Sequence, residues 1–159
     1  MAKVPITGGF QLIPEGTHIF RIYAASYDEE FGKIEVKMVN ADGITHTERF
    51  SILRSDNTVN QGAMNAFSYF AKNAMNDFSL EELDPVELID HYIEGDIEYS
   101  KFPSNRDPNK TVTFANLGDK RPADGFDKEP TQRALTLGKA PKANAEPAKG
   151  LDIDKLLGE

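Results

Sequence analysis

Chemistry at a protein site needs a nucleophile, a proton carrier or a metal, and this chain offers little of any of them. It contains no cysteine, which excludes thiolate attack, Cys-ligated zinc and disulfides and fits a reducing compartment. His18, His46 and His91 are scattered, with no spacing that would turn them toward one ion. Glu94, Asp96 and Glu98 alternate and could present oxygen ligands on one strand face, although a solvated strand face is the better account of the pattern. Gly8 and Gly9 lack the Lys and Ser/Thr that complete a phosphate loop. The expectation is therefore no enzyme, no cofactor and no metal. Binding chemistry remains. Cations interleaved with aromatic rings hold a single nucleic-acid strand through phosphate contacts and stacking, about 1–3 kcal/mol per stacked base. Arg21, Tyr23 and Tyr27 form one such group, Phe31, Lys33, Lys37 and Arg49 a second, and Lys101, Phe102, Arg106 and Lys110 a third.

These residues need elements to position them. Thr17–Tyr27 (THIFRIYAASY) is rich in β-branched and aromatic residues and reads as a strand ending at the acidic turn DEEFGK. In KIEVKMV, Ile34, Val36 and Met38 alternate with Lys33, Glu35 and Lys37, the period of a half-buried strand. The turn NADG leads into a third strand, ITHTERFSIL. From Asn60 the period changes: Ala63, Phe67, Phe70 and Ala74 fall on one helical face, widened by Met64, Ala71 and Met75. Asp84, Pro85 and Glu87 start a second short helix expected over about 85–91. YIEGDIEYSKF and KTVTFANL then read as two strands separated by PSNRDPN.

The order β-β-β-α-β-β is that of a five-stranded OB-fold-type Greek-key barrel, mainly β with α, which binds oligonucleotides on strands 2 and 3 and between the 1–2 and 4–5 loops. "LIPEGTHIFRIYAASYDEEFGKIEVKMVN", with "LIDHYIEGDIEYSK" and "TVTFANLGDKRP", also resembles a family of small phage proteins of unknown function. Some members of that family are described as single-stranded-DNA-binding proteins. The resemblance spans roughly residues 10–122. If Phe20, Ile22 and Ala24 point inward, strand alternation turns Arg21, Tyr23 and Tyr27 outward. The same parity turns Lys33, Lys37 and Arg49 outward, while Phe31 lies at the 1–2 loop and Lys101, Phe102, Arg106 and Lys110 at the 4–5 loop. A reading in which Tyr23 and Tyr27 edge the core and the cations are merely solvated stands beside this one. Asp28, Glu29 and Glu30 would repel phosphates at the 1–2 loop.

The net charge of −8 is unevenly spread. Residues 77–98 carry Asp77, Glu81, Glu82, Asp84, Glu87, Asp90, Glu94, Asp96 and Glu98 with no Lys or Arg, so this segment alone exceeds the total. It is the solvated side of a helix or, in the competing functional reading, an acidic surface with which a protein-binding adaptor or inhibitor docks a basic partner without binding DNA. Residues 1–120 are expected to form the barrel domain. Residues 121–150, Pro-rich and nearly neutral, are expected to be a flexible linker within a disordered tail, and residues 151–159 a partner-binding tip. That tip, LDIDKLLGE, presents Leu151, Ile153, Leu156 and Leu157 among Asp152 and Asp154. It suits recruitment of a replication or recombination protein, and it is similar in kind to the tails of bacterial single-strand-binding proteins without their Pro-Phe ending. No apolar stretch approaches a signal peptide or membrane span, so the expected setting is the cytoplasm, that of the host cell if phage-encoded. The expected partners are single-stranded DNA and the recruited protein, with homo-oligomers left open.

Overall fold

A computed structural model describes residues 12–139. Five strands, β1 (Gly16–Asp28), β2 (Lys33–Asn40), β3 (Thr45–Ser51), β4 (Tyr92–Pro103) and β5 (Thr111–Ala123), form one antiparallel sheet in the order β3-β2-β1-β4-β5. The helices are α1 (Gln61–Met75) and the short α2 (Gln132–Thr136), with a 3-10 turn over Pro85–Leu88. The long β1 serves two neighbours: Gly16–Arg21 pairs with β4, and Phe20–Asp28 pairs with β2. The sheet thus bends around a single core of Phe20, Ile22, Ile34, Val36, Met38, Phe50, Ile93 and Ile97, closed at one end by Phe70, Ala71 and Ala74 of α1. The Phe50 ring meets Phe67 at 5.3 Å and Phe70 at 5.8 Å, and each fully buried ring contributes about 1.5–3 kcal/mol.

The turns explain why local sequence suffices for the meander. Asp28 Oδ1 accepts from the amides of Glu30 and Phe31, so the first acid of DEEFGK is a turn cap. Gly32 has φ +62°, and an added Cβ would fall 2.4 Å from Leu53, so only glycine fits there. Asn60 caps α1 by accepting from Ala63 N, and Asn76 ends it in the left-handed conformation. The expected helix over 85–91 starts as anticipated, with a capping box between Asp84 and Glu87, but stops at Leu88. Asp90 at φ +72° turns the chain so that its amide donates to Ile22 O.

Two expectations are corrected. Ala24 does not enter the core; Ala25 does, because Tyr23 is an extra residue at a β-bulge between Ile22 and Ala24 that reverses the parity of β1. Tyr27, paired with Ile34, consequently lies on the core side rather than facing out. Arg121 does not open a linker: β5 continues to Ala123, and residues 124–139 return across β1 and β2. Phe126 packs edge-on against Tyr92 at 5.1 Å, Thr131 N donates to Ala41 O, and Arg133 Nε donates to Gly43 O. Ala134 is fully buried. Proline and glycine content suggested a tether, but the segment carries its own anchors. The expected linker residues 140–150 and the tip lie outside the described residues.

Candidate nucleic-acid interface

The side of the sheet opposite the core is where cations and rings were expected, and its parts differ. Arg21 is only 3% exposed. Its Nε donates 2.8 Å to Ala134 O, one terminal nitrogen donates to Leu137 O, and the other pairs with Asp90 at 2.9 Å. Arg21 is therefore a clamp for the returning chain and not a surface cation, because a buried guanidinium must have its donors satisfied. Tyr23 is half-buried beside it, and burial pushes its phenol above the ordinary value, only partly offset by Arg133. Gly138, at φ +84°, passes so close that an added Cβ would lie 2.5 Å from Tyr23 O. Arg21 and Tyr23 are thus closed to a ligand by the 124–139 strap, and Tyr27 opens instead toward an apolar groove beside α1.

Farther along the same side, Lys33, Lys37 and Arg49 do point away from the core, since their cross-strand neighbours Ser51, Thr47 and Glu35 share that side. Glu35 sits between two of them, 3.0 Å from Arg49 and 3.8 Å from Lys37, and offsets part of their charge. Phe31 is exposed at the β1–β2 turn next to Glu29 and Glu30.

The edges of β3 and β5 face each other across a cleft of about 390 Å³ lined by Thr45, Thr47 and Arg49 on one wall and Thr113, Phe114 and Ala115 on the other, with Leu12 and Ile13. The N-terminal approach is held there by Tyr99, whose hydroxyl donates to Ile13 O and whose amide donates to the Glu15 carboxylate. Beyond the cleft the β4–β5 hairpin continues as an arm. Phe102 pairs with Val112 and Ser100 with Phe114, which puts Phe102, Val112 and Phe114 on one face, away from Tyr99 and Leu117 of the core side. Phe102 is 55% and Phe114 49% exposed, and their ring centroids are 6.0 Å apart. The loop is braced by Ser104 N donating to Lys110 O and Lys110 N to Asp107 O. Lys101, Arg106 and Lys110 form no ion pair among the described residues, and Asp107 is the one acid in that loop.

The structure thus brings Arg49 to one end of the cleft walls and carries Lys101, Phe102, Arg106 and Lys110 on the arm, with Lys101 on the face opposite Phe102, while separating both regions from Arg21 and Tyr23. Phe114, Val112, Thr45 and Thr47 were missed by sequence reasoning. The signal was available for two of them: with Ala115 and Leu117 inward, strand parity turns Val112 and Phe114 outward.

The acidic stretch is largely consumed by the fold. Asp77 accepts from Ser79 N and Oγ, Asp84 and Glu87 form the capping box, and Asp90 holds Arg21. Arg121 lies 3.1 Å from Glu94 and 2.8 Å from Asp96. Hydrogen bonds from Arg121 and then Thr17 keep the Asp96 carboxyl below its ordinary range. Leu151, Asp152, Ile153, Asp154, Leu156 and Leu157 lie outside the described residues. No helix among the described residues is long and apolar enough to cross a membrane. No protein-family model matches this chain, and no curated protein does either.

Proposed function

We propose that this chain binds single-stranded DNA along the β3–β5 cleft and the β4–β5 arm, coating strands during replication or recombination without catalysing a reaction. The observation that carries the reading is the exposed Phe102–Phe114 pair on an arm whose loop holds Arg106 and Lys110 and whose opposite face holds Lys101, cations with no ion pair among the described residues. Solvent-facing rings beside cations are what stacking bases and their phosphates require. The strand order, with β1 shared by β2 and β4 and a helix between β3 and β4, supports the finer description of the body as an OB-fold-type barrel. The sequence resemblance to small phage proteins supports the same reading. The acidic-apolar tip at residues 151–159 is proposed to recruit a partner protein.

Fluorescence anisotropy with labelled oligo-dT and with duplex, over a salt series, tests the proposal. The expected outcome is a clear preference for the single strand and a salt slope of roughly −0.7 per neutralised phosphate. Replacing Lys101, Arg106 and Lys110 together by Ala should flatten that slope by about 2 and leave the melting temperature unchanged. Equal binding to both nucleic acids, or none to oligo-dT at about 50 mM salt, overturns the reading.

A further inference from the structure

On the core side, where α1 meets the open ends of β1–β3, the sheet and helix do not close on each other. They leave an apolar groove of about 450 Å³. Ile34 and Ile52 line it from the sheet, Val59, Met64 and Phe67 from the helix and its approach, and Leu83 from the connection to β4. Val59 is 51% and Met64 38% exposed, so apolar surface is left in water that a small domain ordinarily buries. The lip is charged. Glu81, Glu82 and Lys72 are its charged lining residues, and the adjoining stretch 77–87 carries Asp77, Glu81, Glu82, Asp84 and Glu87 without one base. Such a lip repels both nucleic acid and the chain's own tip, in which Asp152, Asp154 and Glu159 outweigh Lys155.

We infer that this groove docks a segment of a partner protein that carries apolar anchors flanked by Lys or Arg. The anchors replace water over Val59, Met64 and Phe67, and the flanking cations meet Glu81 and Glu82. The groove therefore serves a second class of ligand and is independent of the DNA proposal.

The test uses the full chain and two fluorescent probes: an amphipathic peptide of Leu and Lys, and the acidic peptide LDIDKLLGE. Saturable binding of the first and none of the second is expected. Met64→Glu with Val59→Glu makes the protein more acidic, so diffuse attraction of the basic probe would strengthen. Seating in the groove would instead weaken at least about tenfold. Val59 and Met64 are both partly in water, and an unchanged melting temperature of the variant checks that the fold is kept. Glu81→Gln with Glu82→Gln should weaken the probe by about three- to fivefold, and neither pair should alter oligo-dT binding. The inference is overturned if the basic probe does not bind, if the acidic probe binds as well, or if the Glu pair binds more tightly. It is also overturned if sedimentation shows a self-associated protein that Val59→Glu dissociates, since the groove would then be covered by a second copy.

Discussion

The outer side of β1 and the tip of the β4–β5 arm start from the same ingredients, a cation next to an aromatic ring: Arg21 with Tyr23, and Lys101 with Phe102. In the first, each of the three guanidinium nitrogens donates, to the carbonyls of residues 134 and 137 and to Asp90, and the ring is roofed by Gly138. In the second, Lys101 has no ion pair among the described residues and the Phe102 ring faces solvent. The difference lies not in the strands but in what returns to cover them. A cation on a strand is a ligand-binding group only where the remainder of the chain leaves its hydrogen bonds unclaimed.

Breaking each side of that comparison should therefore cost different things. Arg21→Ala removes the clamp and leaves buried carbonyls and Asp90 without their partner. It should destabilise by about 3 kcal/mol, or lower the melting temperature by about 10 °C, while oligo-dT affinity measured well below the transition changes less than about twofold. A large loss of affinity with little loss of stability would reverse the assignment of the two regions. Phe102→Ala with Phe114→Ala should do the opposite, weakening oligo-dT by about 10- to 100-fold. Melting should shift by no more than about 2 °C, since both rings are half in water. The smallest effect concerns charges the fold has claimed on the β4–β5 side. The Asp96 carboxyl is held down by Arg121 and Thr17, so the unfolded chain binds its proton more readily than the folded one. Its contribution is present above the ordinary carboxylate range and is lost as pH falls through the lowered folded value. Arg121→Gln should accordingly make the acid limb of the melting-temperature profile shallower below about pH 4, and an unchanged limb would show that the pair contributes nothing.

The meander, α1 and the arm strands were legible because their signals are local: alternation in KIEVKMV, the helical face of Phe67 and Phe70, and the Asn-to-Gly turn before β3. The parity of β1 was not legible beyond Ile22, since nothing in IYAAS marks Tyr23 as the bulged residue; the pairing with β2 decides it. The strap was hidden by composition. RPADGFDKEPTQRALTLG looks like a tether until Phe126, Thr131 and Ala134 find Tyr92, Ala41 and Arg21, contacts about which a local window carries no information. On the proposed interface, Lys101, Phe102, Arg106 and Lys110 could be assigned to the β4–β5 hairpin from sequence, but that Lys101 and Phe102 belong to β4 on opposite faces, and that Phe114 joins Phe102, follows only once the register is known.

The Arg21 clamp also sets an order of events during synthesis. Arg21 and the carbonyl of Ala134 are 113 residues apart, and at about 5–20 residues per second the ribosome needs roughly 6–23 s to make what lies between them. In that interval β1 and β2 can already pair, yet the guanidinium has no carbonyls to bind and its side of the sheet stays wet. The strap is then the last layer to assemble, and a chain released before Leu137 emerges would carry a finished hairpin with an open, cationic back.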